Sequence, residues 1–267
     1  MDHQIGSGRD LASVFQTGGA THAGHVRDHN EDDLVLLPEV GLWAVADGMG
    51  GHEAGAFASQ AVARTLATVA APVSAAGLVK SCEDKLAQAN DAIRAFAQSN
   101  GGVIVGTTVA VLLVFQTRFS CVWCGDSRVY LIRRGVLRQL SRDHSELQEF
   151  VDRGVLTPAE AKVWPGRNVL TRAIGVFETP ETERQEGELE SGDMFVLCSD
   201  GLTGHVADDE ILKIAARRPP ESACHDLIEL ALSRGGKDNV TVVIAHYRPD
   251  STRRLPPPQR EAPPGSD

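Results

Sequence analysis

Short apolar runs alternate with tight turns in residues 107–140, which read TTVAVLLVFQTRFSCVWCGDSRVYLIRRGVLRQL. The alternation predicts four consecutive strands, at 108–115, 119–123, 129–132 and 136–140. Parallel strands need a crossover of a dozen residues or more, so connections this short favour antiparallel neighbours. The centre of the chain is therefore expected to form antiparallel sheet.

Helical spacing appears on both sides of this strand-rich centre. Apolar residues recur every three or four positions, the period of one helix face. Helices are expected at 58–69, 79–96, 208–216 and 221–233, and two later strands at 194–198 and 240–246. Because strands come in runs and helices in pairs, the predicted fold class is α+β, with sheets and helices in layers.

The composition argues against several classes of protein. The 267 residues include 26 Lys and Arg against 36 Asp and Glu, a formal net charge of -10. Such a charge argues against binding to nucleic acid or to an anionic membrane. No run approaches the roughly 20 apolar residues of a membrane-spanning helix, and the N-terminus lacks a signal-peptide pattern. Five cysteines, an odd number, do not suggest a disulfide framework, so we expect a cytoplasmic protein with reduced thiols.

The two ends of the chain differ from its centre. Residues 1–20 are rich in Gly, Ser and Thr and are expected to be loose. Residues 249–267 combine prolines with charges and are expected to form a disordered tail. The remaining residues, 21–248, are expected to form one domain.

Acidic residues border several of the apolar runs. They occur at Asp47-Gly48, Asp126-Ser127, Asp200-Gly201, Asp238-Asn239 and His29-Asn30-Glu31-Asp32. Taken singly, an Asp-Gly pair is most often a surface turn, and spacing alone does not establish that the five sites meet. Carboxylates that converged would repel one another unless cations lay between them. Oxygen ligands suit Mg²⁺ or Mn²⁺, and no matched set of His and Cys indicates zinc.

A glycine-rich segment, DGMGGHEAG at 47–55, joins one of these strands to the first predicted helix. It lacks the Gly-Lys-Ser/Thr of a P-loop and the third glycine of a dinucleotide-binding loop. A metal site accounts both for Asp47 and for glycines that let the backbone approach an ion. Arg27 lies four residues before Glu31 and is either a surface charge or a fork for a phosphate beside such a site.

Eight pieces of the sequence, taken in order, resemble the metal-dependent Ser/Thr protein phosphatases of type 2C, the PPM family, in their bacterial single-domain form. The resemblance extends over most of the chain, from residue 24 to residue 245. The pieces are GHVR at 24–27 with NED at 30–32, DGMGGH at 47–52, GTT at 106–108, GDSR at 125–128, DHS at 143–145, LTRAIG at 170–175, CSDGL at 198–202 and DN at 238–239. The resemblance implies a four-layer α/β/β/α sandwich of two mainly antiparallel sheets flanked by helix pairs.

The resemblance also implies a set of metal ligands. Asp47 would bridge two divalent ions, Mn²⁺ or Mg²⁺, and Gly48 would give its backbone carbonyl to one of them. Asp200 and Asp238 would complete the protein ligands of the other ion. Asn239 would support the site beside Asp238.

Further roles follow from the same resemblance. Glu31 and Asp32 would act through metal-bound water, and Asp126 would hold a weaker third ion. Arg27 would bind the substrate phosphate. His52 is the candidate side chain for protonating the leaving oxygen, the alternative being a loop histidine exposed to solvent.

The implied activity is hydrolysis of phosphoserine and phosphothreonine in proteins by a metal-bridged hydroxide, opposing a Ser/Thr kinase and its targets. Residues 143–167 would form a flap that shapes substrate entry. The protein is expected to be a monomer whose partners are phosphorylated proteins. The alternative from another class is a catalytically weak metal-binding module of the same fold that docks a partner.

Overall fold

The computed structural model describes residues 9–51, 53–161, 164 and 169–249. Eight helices and eleven strands lie within those residues. In chain order they are α1 (Arg9–Val14), β1 (Phe15–His22), β2 (Asp32–Leu37), β3 (Leu42–Met49), α2 (Glu53–Leu66), α3 (Ala75–Ser99), β4 (Gly106–Thr107), β5 (Val109–Phe115), β6 (Arg118–Cys124), β7 (Arg128–Arg133), β8 (Val136–Gln139), α4 (Glu146–Asp152), α5 (Pro158–Ala161), β9 (Glu183–Glu188), β10 (Met194–Cys198), α6 (Asp200–Thr203), α7 (Asp208–Ala215), α8 (Pro220–Ser233) and β11 (Val240–Tyr247).

The strands form two antiparallel sheets. The first has the order β1-β11-β10-β7-β8, and the second has the order β2-β3-β5-β6-β9 with β4 paired to β3. The four central strands predicted from the sequence are β5 to β8, and their chain crosses from the second sheet to the first between β6 and β7. The predicted α+β class with two antiparallel sheets is confirmed.

Three apolar cores separate four layers. Side chains such as Trp43 and Phe195 fill the space between the two sheets. Leu86 of α3 belongs to the core between the second sheet and α2 and α3, while Leu227 of α8 belongs to the core between the first sheet and its helices. Strand β3 is buried on both faces because its apolar run continues without a polar interruption up to Ala46.

The predicted helices are present with small shifts of their ends. Helix α3 begins where the Ser74 hydroxyl accepts a hydrogen bond from Gly77 N at 3.0 Å, and it ends at Asn100. Gly101 follows with φ +81°, a conformation that glycine adopts without strain. Among the described residues, none of the helices combines the length and the apolar composition needed to cross a bilayer.

The expectation that residues 1–20 are loose is wrong for residues 9–20. These form α1 and most of β1, which pairs with β11 along its whole length from Phe15 opposite Tyr247. The Phe15 ring lies 4.9 Å from the Trp43 ring and 5.2 Å from the Tyr247 ring, measured between centroids. Burial of Leu11 and Phe15 thus anchors a segment whose glycines suggested mobility.

Parts of two other predicted segments lie outside the described residues. The flap predicted at 143–167 contains α4 and α5, while 162–163 and 165–167 are not described. The tail predicted at 249–267 is described only at its first residue.

Candidate metal centre and active site

Strand ends from both sheets meet at one end of the sandwich and enclose a cavity of about 600 Å³. Asp47 comes from β3 of the second sheet, Asp200 starts α6 after β10, and Asp238 precedes β11. Asp126 lies in the loop that crosses between the sheets. The sequence-predicted residues that line the cavity are Arg27, Glu31, Asp47, Gly48, Asp126, Asp200, Asp238 and Asn239.

Asp32 lies behind this cavity, where a side chain of β2 reaches the other sheet. Its Oδ2 accepts hydrogen bonds from Ser199 Oγ at 2.8 Å and from Thr241 Oγ1 at 2.6 Å. Its Oδ1 is buried and has no hydrogen-bond partner among the described residues. Burial, reinforced by neighbouring carboxylates, raises the pKa of Asp32 to about 7.

Three carboxylates of the cavity have raised pKa values for the same reason. Burial raises the pKa of Asp126 to about 8 and that of Asp200 to about 6, and it raises the pKa of Asp47 well above its ordinary value. Repulsion among these groups is the next cause in each case. Their charged forms are therefore destabilised unless a positive charge lies among them.

The donor atoms fit hard divalent cations. Carboxylate side chains and Gly48 line one cavity, and the unpartnered Oδ1 of Asp32 adds a buried acceptor behind it. In their present positions, no three His, Cys, Asp or Glu side chains among the described residues are grouped closely enough to share one ion. Repulsion between like charges opposes a tighter grouping of bare carboxylates. The residues present thus suit a cation that supplies the missing positive charge.

Arg27 lines the same cavity and pairs with one of its carboxylates. Arg27 Nη2 donates a hydrogen bond to Asp238 Oδ2 at 2.8 Å. This hydrogen bond and the attraction to Asp238, together with weaker attraction to Glu31 and Asp47, raise the pKa of Arg27. The Arg27 side chain is 55% exposed, so its guanidinium is accessible to an anionic ligand that enters the cleft.

Asn239 organises the loop that carries Arg27 and Glu31. Its Oδ1 accepts a hydrogen bond from Glu31 N at 2.8 Å, and its Nδ2 donates to Ala23 O at 2.8 Å and to His29 O at 2.9 Å. One buried amide therefore fixes the backbone on both sides of Arg27. This is the supporting position that the sequence suggested for Asn239.

Glycines allow the backbone to pack tightly beside Asp47. Gly48 N donates a hydrogen bond to Glu31 O at 3.0 Å. A Cβ atom at Gly48 would collide with the carbonyl of Gly55, and one at Gly55 would collide with the Glu31 carboxylate. Glycine is required at position 48, where the obstacle is backbone, whereas a side chain at position 55 would displace the Glu31 carboxylate.

Two threonines hold Asp47 in place, although no role was predicted for them. Thr107 Oγ1 donates a hydrogen bond to Asp47 O at 2.9 Å, and Asp47 N donates to Thr108 Oγ1 at 3.1 Å. The Thr108 hydroxyl also lies 2.7 Å from the Ser127 hydroxyl, beside Asp126. The signal that could have found them is two adjacent hydroxyl residues at the start of an otherwise apolar strand.

His144 holds the loop that carries Asp126. Its Nδ1 accepts a hydrogen bond from Gly125 N at 3.2 Å, and its backbone N donates to Gly125 O at 3.0 Å. Burial, followed by the nearby Arg172, lowers the pKa of His144. The residue expected only to begin the flap thus also supports the cleft.

The candidate acid His52 lies outside the described residues. Its neighbours Gly50 and Gly51 have φ values of +130° and +85°, which shows a glycine-dependent turn just before it.

Known proteins resemble this chain over most of its length. The family described as Protein phosphatase 2C matches residues 19–221. The Ser/Thr protein phosphatase PstP of Mycobacterium tuberculosis is 38% identical over 233 residues, covering 87% of this chain and 45% of that protein. This chain therefore spans about half the length of that curated relative. The Ser/Thr phosphatase stp of Listeria monocytogenes is 34% identical over 236 residues, covering 84% of this chain and 92% of that protein.

A solved structure has the same fold. The catalytic domain of PstP in complex with two manganese ions has a TM-score of 0.80 and 36% sequence identity, covering 88% of this chain and 99% of that one. The chain is thus similar to this phosphatase domain in both sequence and fold over most of its length. The chain belongs to the protein phosphatase 2C family.

Proposed function

We propose that this protein hydrolyses phosphoserine and phosphothreonine in protein substrates and that it depends on divalent metal ions. The observation that carries the proposal is the cleft in which Asp47, Asp126, Asp200 and Asp238 line one cavity beside Arg27. The manganese-bound structure of the related PstP domain supports metal dependence. The alternative, a catalytically weak metal-binding module of the same fold that docks a partner, is not favoured, because the related PstP and stp proteins are Ser/Thr phosphatases.

Two ions, Mn²⁺ or Mg²⁺, are proposed to bind at the carboxylates. Asp47 would contact both, the Gly48 carbonyl one of them, and Asp200 and Asp238 the other. A third, weaker ion is proposed at Asp126. When bound, such ions would lower the pKa of a water molecule enough for a nucleophile to be available near neutral pH.

The chain's own residues position the substrate and shape the electrostatics. A guanidinium has five N–H donors, so Arg27 can bind Asp238 and phosphate oxygens at the same time. Glu31 and Asp32 would accept hydrogen bonds from water in the cleft, with Asp32 held rigidly by Ser199. His52 stays a candidate for protonating the leaving oxygen.

Partners follow from the proposed chemistry. The substrates would be phosphoproteins, including a Ser/Thr kinase and its targets, and the protein would act as a monomer. All five cysteines are free and buried, which suits a reducing compartment such as the cytoplasm. The flap at 143–167 is proposed to influence which peptides enter.

The proposal is tested on the full chain with a phosphothreonine peptide. Protein treated with a chelator should release no phosphate, and added Mn²⁺ or Mg²⁺ should restore turnover. The Asp238→Asn variant, which removes a proposed ligand charge, serves as the matched control and should stay inactive with either ion. A wild-type protein shown by circular dichroism to be folded, yet inactive with both ions, would refute the proposed function.

A further inference from the structure

The cleft has an apolar wall in addition to its carboxylates. Ile104, Val169, Leu170 and Val176 line the same cavity as the acidic residues. A second cavity of about 250 Å³ adjoins it and shares Ile104 and Val176 with it. Val103 also lines this second cavity. We refer to Val103, Ile104, Val169 and Val176 as the apolar shelf.

The shelf is exposed to an unusual degree for apolar side chains. The exposed fractions are 78% for Ile104, 47% for Val103, 45% for Val169 and 39% for Val176. Single exposed apolar residues need no explanation, but a contiguous group beside a cleft is typical of a binding surface. Covering such side chains removes apolar area from water and is favourable.

The backbone beneath the shelf is fixed by specific hydrogen bonds. Asn90 on α3 accepts a hydrogen bond from Gly175 N at 2.7 Å and donates one to Phe177 O at 3.1 Å. Thr107 and Ile174 exchange backbone hydrogen bonds at 3.0 and 2.9 Å, which join the two segments of the shelf. The apolar side chains are thus held at the surface by a buried polar network and not by a loose loop.

The charged side chain beside the shelf is positive, which favours a ligand that carries negative charge. Arg94 is the charged residue that lines the second cavity, with Gln98 as its other polar side chain, and no acidic residue among those described lines it. The shelf is also continuous with the cavity that contains Arg27. A ligand whose phosphate lies at Arg27 would therefore extend an apolar neighbour over the shelf.

Resting on the proposed function, we propose that the shelf binds an apolar side chain of the phosphoprotein substrate. Because Arg27 and Ile104 line one cavity of about 600 Å³ and an extended chain advances roughly 3.3 Å per residue, that side chain is placed within about three residues of the phosphorylated residue. The shelf thereby makes the enzyme selective for phosphorylation sites with apolar neighbours. The occupant is a substrate segment, and Ile104 is the residue chosen for the test because it is the most exposed side chain of the shelf.

The test compares two phosphothreonine peptides in the Mn²⁺-loaded full chain. They are identical except that one carries Leu and the other Asn at the three positions on each side of the phosphothreonine. Wild-type kcat/KM is expected to be about tenfold higher for the Leu peptide, the size of effect typical of one apolar contact in a pocket. In Ile104→Asn this ratio should fall close to one.

Val136→Asn is the matched control, because Val136 is 67% exposed but lies on β8 and lines neither cavity. It should keep the wild-type ratio and activity. The inference is overturned if the wild type does not distinguish the peptides or if the preference survives in Ile104→Asn. It is equally overturned if Ile104→Asn keeps the ratio but weakens self-association in sedimentation, since the shelf then contacts a second copy.

N-acetyl-phosphothreonine amide, which has no flanking side chains, distinguishes a failure of the inference about the shelf from a failure of the proposed function. If the wild type hydrolyses this compound and both peptides without preference, only the inference about the shelf fails. If folded wild type hydrolyses none of the three, the proposed function fails, and the inference that rests on it fails as well.

Discussion

The two ends of strand β10 carry buried aspartates in opposite environments. Before the strand, Asp193 is 1% exposed and both of its oxygens are paired, since Arg133 Nε donates to Oδ1 at 2.8 Å and Arg133 Nη2 to Oδ2 at 2.6 Å. After the strand, Asp200 faces other carboxylates, and its pKa is raised to about 6 by burial and by repulsion from Asp238. The comparison distinguishes a carboxylate that stabilises the fold from the carboxylates that are proposed to bind cations.

The largest expected effect lies in the cleft that Asp200 lines, at Asp47 of β3. We expect Asp47→Asn to lower metal-dependent turnover on the order of a thousandfold, because a ligand charge worth several kcal/mol is lost. The free energy of unfolding of the metal-free variant should equal or exceed that of the wild type, since a destabilised buried charge is removed. Steady-state kinetics and urea denaturation measure the two effects.

A result in which Asp47→Asn stayed active with Mn²⁺ would remove Asp47 from the proposed ligands. A variant that lost activity because it was unfolded would be recognised by its lost unfolding transition. If Asp47→Asn were folded and active, the distinction between the carboxylates of the cleft and the structural Asp193 would not hold.

The second prediction concerns pH and the removal of metal. Asp200, Asp32 and Asp126 have pKa values of about 6, 7 and 8 in the folded protein, all above the 3.8 of an unperturbed aspartate. Between about pH 5 and pH 8 the folded state therefore binds more protons than the unfolded state, so the free energy of unfolding falls as pH rises. For chelated protein we expect the free energy of unfolding to fall by several kcal/mol over this window, because all three groups lose in the folded state a proton that the unfolded state no longer binds.

Saturating Mn²⁺ should abolish this loss, because the bound cation stabilises the ionised carboxylates. Asp32→Asn, which keeps an oxygen acceptor for Ser199 and Thr241, should show a shallower slope in chelated protein. Urea denaturation at several pH values measures both. A stability that rose with pH in the chelated wild type would contradict the proposed electrostatics.

The sequence predicts those parts of the fold where a local pattern is strong. The apolar run of β5 and the helical spacing of α3 were sufficient to predict these elements, and Asp47 and Asp200 were singled out because they border apolar runs. Strand β9 was not predicted because its six residues, ERQEGE, alternate between partly and fully exposed and carry no apolar pattern. It lies at the edge of its sheet, where one neighbour, β6, is enough to hold it.

Other features depend on contacts between distant residues. Glycines in β1 suggested mobility, yet a Cβ at Gly18 would collide with the backbone of Pro220 and Glu221, so α8 packs directly on this strand. The hydrogen bond from Thr241 to Asp32 spans 209 residues. Neither contact has a local signal, because tertiary packing decides them.

The smallest effect is expected at the other end of β10, where Asp193→Asn removes the buried negative charge opposite Arg133. Breaking one partner of a buried pair leaves the other uncompensated, but here Glu190 also pairs with Arg133 at 3.0 Å and is half-exposed. We therefore expect a loss of about 2 kcal/mol in the free energy of unfolding, below the range of a fully isolated pair. Turnover per folded molecule should be unchanged, because Asp193 lies at the end of β10 that is away from the cleft and does not line the cavity.

Asp226→Asn is the matched control for this loss, because Asp226 pairs with Arg218 at 3.0 Å on the surface and is 43% exposed. An exposed ion pair of this kind contributes less than about 1 kcal/mol. If Asp193→Asn cost no more than Asp226→Asn, burial of the Asp193 pair would not stabilise the fold. If it lowered turnover as strongly as Asp47→Asn, the two ends of β10 would not be independent, and the separation between a structural and a cation-binding carboxylate would fail.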